Sequence, residues 1–458
     1  MKAVPPQLES KWAGSTNDVA HDGVRAAKMF DGLPDLFLIH RRFADRRYSI
    51  ILRFMPAQLD RSKDQFRRLL VLIAVATVDM IGGAMVFPLI PFYALKLHAS
   101  ATTIGMIIAS FFIAQLVAAP VWGRVSDHYG RRPALLVGLG ASAAAYFVFG
   151  FANAVWLLFV CRLVQGLGGG TTGVLQAYVG DTVPPEDRAR SLGWLSAGTN
   201  VGTMLGPVIG SFATYWGHQW PGILAASLCV ANALFAWQWL PESKQPQAHA
   251  PGRKPVWHGV WMVLRNPAGN VQRLTLIYAV AMLAFSCLTS VLALYLSAEF
   301  GITEKTIGYV FLYVGIFSVL MRSALIGPIV DRIGEPWSIR AGAATLILGL
   351  LAYPLAPNLW SLAFIVPLVP IGTSLLFPAT TALMSHHSPR SELGTTMGIA
   401  QTFAGISRVV APLVSTTLFQ RISHGMPFYF AATFVGVVSL LAFQVERQPA
   451  PEPVRVID

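Results

Sequence analysis

Four ionisable side chains lie inside stretches that are otherwise apolar: Asp79 in VDMIGGAMVFPLIP, Arg162 in RLVQGLGGG, and Arg322 and Arg408 further on. Charge in apolar surroundings is costly, and residues kept there mark ion or substrate pathways. A carboxylate at that depth is a reasonable proton carrier, because burial and a nearby cation pull its proton affinity in opposite directions. Asp79 lies about 12 residues, or about 18 Å, from the start of its apolar run. Arg162 lies about 7 residues, or about 10 Å, from the opposite end of an antiparallel run. In a hydrocarbon core about 30 Å thick these depths nearly coincide, so the two charges can compensate each other. Arg322 is close to the end of its run, where a long side chain snorkels. Arg408 is central, and no acid in its half of the chain matches it. It is expected to line a cavity, contacting an anionic substrate group or a carboxylate from the other half, or else to pair with backbone carbonyls. Gln165, Gln176 and Asn200 line the same cavity or hydrogen-bond between helices. Phe87 and Phe377, with Met80, Met85 and Phe285, can form an adaptable apolar surface, although plain packing accounts for such residues more often.

These residues need long apolar elements to hold them. The chain has 458 residues, 54% hydrophobic and 12% charged. That charge fraction is roughly half of a soluble chain's, and one apolar core would have to exceed the usual limit of about 250–300 residues. The composition therefore implies a polytopic, all-α membrane protein. From Arg67 onward about twelve stretches approach the spanning length of about 20 residues. They cover 68–95, 102–122, 133–152, 155–178, 191–214, 221–240, 272–296, 305–328, 338–356, 359–383, 395–419 and 425–445. Only the gap after Leu240 is long, and its proline-rich, basic text reads as a linker with a short surface helix near Trp257–Leu264. The expected division is a cytoplasmic extension over 1–66, partly disordered, a six-helix half over 67–240, a cytoplasmic linker over 241–271, a second half over 272–445 and a cytoplasmic tail over 446–458. Met55 would serve as an ordinary start, so residues 1–54 read as dispensable or as a surface-lying extension.

Of 34 Lys and Arg, about 13 precede the first span, about 13 fall in even-numbered gaps and about 3 in odd-numbered gaps. This asymmetry places both termini in the cytoplasm and fits anionic headgroups. The charges are too dispersed for nucleic acid. Cys161, Cys229 and Cys287 sit in apolar runs without metal-ligand spacing. No phosphate-binding loop, zinc-protease helix or nucleophile elbow is present, which argues against an ATP-driven pump and against an enzyme.

The halves repeat. Gly123-Arg-Val-Ser-Asp127-His-Tyr-Gly130 returns as Gly327-Pro-Ile-Val-Asp331-Arg-Ile-Gly334, and Gly206-Pro207 lines up with Ala411-Pro412, at an offset of about 204 residues. The first of these segments, GRVSDHYGRRP, is expected to be a tight loop with Gly123 and Gly130 at its ends. Asp127 would accept from helix amides, and Arg131 and Arg132 would pair with loop acids such as Asp181. A fifth span, GWLSAGTNVGTMLGPVIGS, carries Gly198, Gly202, Gly206 and Gly210 on one arc of roughly 120° beside Pro207. Such a face packs closely and the proline bends the helix. The expected result is a close, bent seam between the halves.

The spacing Gly-x-x-x-Asp-x-x-Gly-Arg-Arg closely resembles the signature loop of the major facilitator superfamily, with His128 where Arg or Lys is usual. Asp79-x-x-Gly82 followed by Pro88 and Pro91 resembles the first span of its twelve-span drug:proton antiporters, tetracycline exporters included, with Ala84 for a second glycine. Arg162-x-x-Gln165-Gly166 and Gly202-x3-Gly206-Pro207-x2-Gly210 resemble the fourth and fifth spans. The resemblance implies twelve helices in two halves around a central cavity. It implies conformational control by Gly123, Asp127 and Arg131 and proton coupling through Asp79 and Arg162. The expected activity is export of small amphipathic, drug-like molecules across a bacterial inner membrane by a monomer. Partners are protons and lipids, with no cofactor beyond the proton gradient. Proton-coupled uptake or export of a specific metabolite is the alternative, and a receptor or scaffold on the same fold a third.

Overall fold

The computed structural model describes residues 67–243, 261, 263, 265, 269–388 and 393–443. The expected extension, the tail and most of the linker with its surface helix lie outside the described residues. Among the described residues the regular structure is helical, without strands. Among the described residues twelve helical columns follow in chain order: α1 (Arg67–Lys96), α2 (Ala101–Tyr129), α3 (Arg131–Gly150), α4 (Val155–Thr182), α5 (Pro185–Ala213), α6 (Trp220–Trp239), α7 (Asn270–Phe300), α8 (Ile307–Leu320, continued by Met321–Leu325 and Ile326–Ile333), α9 (Glu335–Leu355), α10 (Leu359–His387), α11 (Leu393–Arg421) and α12 (Met426–Phe443). Nine of them are long and apolar enough to cross a membrane, and the apolar parts of α8 and α12 are shorter. The glycine, serine and threonine of α5 dilute its apolar character.

Helix ends follow local chemistry. The Ser100 hydroxyl caps α2 by accepting from Thr103 N at 3.2 Å, and Asn358 forms a capping box with Ser361 at the start of α10. Several helices overrun their apolar text. α2 continues through Gly123 to Tyr129, where the apolar stretch stops at residue 122. Apolar length measures the hydrocarbon layer, whereas helical hydrogen bonding continues into polar residues beyond it. The expected loop is therefore mostly helix. Only Gly130 turns, at φ 102°, and its counterpart Gly334 turns at φ 79°. Gly123 is helical with open space around it and has no role as a turn residue.

The repeat is equally visible in packing. A Cβ on Gly138 of α3 would stand 2.9 Å from the Gly168 carbonyl of α4, and one on Gly342 of α9 would stand 2.8 Å from the Gly372 carbonyl of α10. Those two glycine pairs sit at the repeat offset. The seams between halves match as well. Gly105 of α2 abuts the Pro412 carbonyl of α11 at a virtual Cβ distance of 2.7 Å, and Gly308 of α8 abuts the Pro207 carbonyl of α5 at 3.0 Å. Close backbone approach is how helices associate where lipid removes the hydrophobic incentive.

Candidate functional site

Asp79 sits part-buried on α1, and its Oδ2 accepts a hydrogen bond from the Thr171 hydroxyl of α4 at 2.8 Å. One helical segment earlier on α4, Arg162 is buried, with 2% of its surface exposed. Its Nη1 donates to Gln165 Oε1, and its guanidinium lies 4.3 Å from the centre of the Phe111 ring. Tyr146 of α3 is near enough to interact with both charges. The compensation expected between Asp79 and Arg162 is not seen as a contact, and what the two charges share is Tyr146. Among the described residues no ion pair within 4 Å joins them. The acid turns to a threonine, and the cation turns to Gln165 and a ring on α2. Arg162 Nε and Gln165 Nε2 remain buried without a hydrogen-bond partner, so the cluster holds unused donors.

Beside this cluster lies a cavity of about 830 Å³ between the halves. It runs from Phe87 and Pro88 at mid-depth to Ser126, Asp127 and Arg131 at the end of the bundle that carries the basic excess. Phe87, Arg162 and Arg408 line it, with Tyr146, Phe111 and Gln401, which the sequence did not single out. Three residues expected in its wall lie elsewhere. Gln165 is buried under Arg162. Phe377 packs edge-on against Tyr278 and Phe285 inside the second half. Asn200 faces α8, where its Oδ1 accepts from Arg322 Nη1 at 3.0 Å. Arg322, in a π-helical turn, therefore bridges the halves where snorkelling was expected.

The glycine face of α5 meets α1 of its own half, which corrects the expected seam. A Cβ on Gly202 would come within 2.9 Å of Met80 Cβ, and one on Gly206 within 2.7 Å of Ala84 Cβ and of the Ile81 carbonyl. Gly210 packs on Met85 in the same way, at 2.6 Å from Cγ. These contacts seat the stretch of α1 that carries Asp79. The neighbouring edge of α5, through Pro207 and Ser211, meets the other half.

At the basic end, Arg131 is 7% exposed. It pairs with Asp127 at 2.8 Å and with Asp181 at 2.8 Å, and its Nη1 donates to Ser126 Oγ at 2.7 Å. The helix amides expected to bind Asp127 bind Glu242 instead. The amides of Arg131 and Arg132 donate to its two carboxylate oxygens at 2.7 and 3.0 Å, a carboxylate placed where the α3 dipole favours it. Glu242, just past the end of α6, thus caps α3, and a Cβ on Gly130 would collide with that carboxylate at 2.6 Å.

The far end is shut. Lys96 at the end of α1 pairs with Glu304 before α8 at 2.6 Å. Thr102 Oγ1 donates to Gln420 Oε1 at 2.8 Å, and Ser211 Oγ donates to the Glu304 carbonyl. The ring of His218 stacks on Tyr93 with centroids 3.7 Å apart, and its backbone carbonyl accepts from the Tyr93 hydroxyl. Burial, then the Lys96 ammonium, push the His218 imidazole below its ordinary value, partly opposed by Glu304. Lys96 is one of the few basic residues in an odd-numbered gap, and that rarity was its only signal in the sequence. Thr171, Tyr146 and Glu242 gave none, because polar neutral residues and loop acids are common.

The sequence profile described as Major Facilitator Superfamily matches residues 72–269 and 274–457. The chain is 25% identical over 367 residues to the class B tetracycline resistance protein of Escherichia coli, covering 78% of this chain and 89% of that one. It is 26% identical over 383 residues to multidrug resistance protein 2 of Bacillus subtilis (strain 168), covering 81% and 93%. The crystal structure of the human organic anion transporter MFSD10 (TETRAN) superposes with a TM-score of 0.64 at 19% identity, covering 82% and 99%. A likeness at that identity speaks to the fold alone.

Proposed function

We propose that this chain, which belongs to the Major Facilitator Superfamily, exports small amphipathic molecules in exchange for protons by alternating access. As a superfamily member it is a multi-pass membrane transporter and not an enzyme. The finer reading rests on one observation above others. A part-buried carboxylate, Asp79, is held by a single hydroxyl and shares the neighbour Tyr146 with a buried arginine, next to a cavity whose far end is bridged by contacts between the halves. Asp79 takes the proton, and Arg162 with Tyr146 sets how readily it gives it up. The charge asymmetry supports a cytoplasmic basic end and the bacterial relatives support an inner membrane, which makes this arrangement inward-facing. Phe87, Phe111 and Met80 give the cavity apolar walls suited to an amphipathic guest. The names of the tetracycline and multidrug resistance relatives support a drug-like guest.

The test uses everted membrane vesicles from cells with and without the protein and a chemically diverse panel of fluorescent amphiphiles. The expected result is accumulation of some panel members only with the protein, abolished by a protonophore. Equal accumulation with and without the protein across the panel, or accumulation indifferent to the protonophore, would contradict the reading.

A further inference from the structure

The second half contributes one charge to the cavity wall, the guanidinium of Arg408 on α11. Two of the explanations open to it in the sequence are closed by the structure. No carboxylate stands within 4 Å of it among the described residues, and it donates to no backbone carbonyl there. Its electrostatic neighbour is the Tyr278 phenol, whose oxygen accepts from Gln401 Nε2 at 3.3 Å. Gln401, Gly405 and Arg408 form one face of α11 toward the cavity, since steps of four and three residues return to the same side of a helix. Of the other arginines in the wall, Arg131 pairs with Asp127 and Asp181 at the mouth, and Arg162 is held by Gln165 and Phe111, with its Nε buried and unpartnered. Asp127, the one carboxylate among the lining residues, lies at the mouth and pairs with Arg131. Among the described residues, therefore, no carboxylate contacts Arg408 in the deep part of the cavity, and Asp79 beside the cavity is held by Thr171.

A charge held half-buried without a partner costs free energy in every cycle in which nothing fills the place beside it. A guanidinium is also the side chain best suited to a carboxylate or sulfonate, through two parallel N–H donors. We infer that the transported molecule is an organic anion, with its acidic head on Arg408 and Gln401 and its apolar body against Phe87, Phe111 and Phe311. This inference rests on the transport reading of the same cavity and narrows it. Arg408 and Asp79 belong to different halves, so the anion and the proton are held by two bodies that move relative to each other.

The experiment is equilibrium binding to the purified full-length protein in detergent, without any gradient. The probes are 2-naphthoate, its neutral carboxamide and 2-naphthylmethylammonium, which share a ring system and differ in charge. The wild type should bind the naphthoate at least about tenfold more tightly than either analogue, in keeping with the strength of charge-assisted pairs. Arg408→Gln should erase that preference, and Arg408→Lys should restore part of it, because a lysine keeps the charge and loses the fork. Equal affinity for the three probes, a preference for the ammonium, absence of naphthoate binding, or a preference unchanged in Arg408→Gln would each overturn the inference. If Arg408→Gln fails to elute as a single species, the charge preference of the wild type and of Arg408→Lys decides. Failure of the antiport reading is distinguishable, because a protein that selects the naphthoate at equilibrium but moves no compound under a proton gradient keeps this site and loses that mechanism.

Discussion

The two halves share a scaffold and differ in how they treat charge. Gly138 meets Gly168 in the first half as Gly342 meets Gly372 in the second, and Gly130 and Gly334 turn the chain at matching places. Against that common frame the first half buries an acid and a base and provides each with an internal partner, Thr171 for Asp79 and Gln165 for Arg162. The second half sets Arg408 in the cavity wall, where among the described residues it has no hydrogen-bond or ion-pair partner and only the Tyr278 phenol as an electrostatic neighbour. Duplicated backbone contacts build the two halves, which meet along the α2–α11 and α5–α8 seams. On the proposal above, the unshared charges give the halves different work, with the proton handled in the first and the guest held in the second.

The comparison can be broken most severely at α5. A leucine at Gly206 must displace Ala84 and the backbone of α1 at Ile81, which moves the segment bearing Asp79. Vesicle transport by Gly206→Leu should fall at least about 100-fold, the scale of loss when a coupling geometry is misplaced by about 1 Å, while the protein still reaches the membrane. Full activity would show that the α1–α5 contact is plain packing.

The division of labour is sharpened by a matched pair of arginine changes. Arg162→Gln should leave naphthoate binding within about twofold and weaken proton-driven accumulation by about tenfold, the scale of one hydrogen bond to a charged group. Arg408→Gln should do the reverse, losing binding first. Identical profiles for the two variants would erase the distinction between the halves. Shared scaffold, by contrast, should respond alike. Gly138→Ala and Gly342→Ala each push a methyl group toward a carbonyl, at 2.9 and 2.8 Å. Each should lower stability by about 1–3 kcal/mol, as overpacking does, read as similar shifts in thermal unfolding of the purified protein.

Smaller effects belong to the far-end seal. The Lys96 side chain is half exposed, so its pair with Glu304 is screened and is worth at most about 1 kcal/mol. Lys96→Ala should raise labelling of a cysteine placed in the cavity, approached from the far side, by up to about fivefold.

Much of this was legible before any coordinates. Hydrophobic runs located twelve helices because lipid demands apolar length, and the repeated glycine and aspartate segments located the two halves. Asp79 and Arg162 stood out because charge is rare in such text. What stayed hidden depends on which way a side chain faces. Thr171 is an ordinary polar residue until α1 and α4 are placed side by side, and Gln165, named from the sequence for the cavity wall, turns out to sit under Arg162. Glu242 lies just past a helix in a linker, and nothing local links it to the amides of Arg131 and Arg132. The glycine face of α5 was visible as a face, but its partner was not, since a groove does not name the helix that fills it. Asn200 and Phe377 were assigned to the cavity by type alone, and helix rotation put them elsewhere.

The central claim is that Asp79 exchanges the proton that drives transport. The direct measurement compares wild type and Asp79→Asn in proteoliposomes, following both accumulation under an imposed pH gradient and downhill exchange of labelled naphthoate with no gradient. An asparagine keeps the shape and an acceptor for Thr171 but carries no titratable proton. The account predicts that exchange survives within about threefold while accumulation against a gradient falls at least about 100-fold, the lower range for loss of a proton-transfer group. Undiminished accumulation by Asp79→Asn would contradict it.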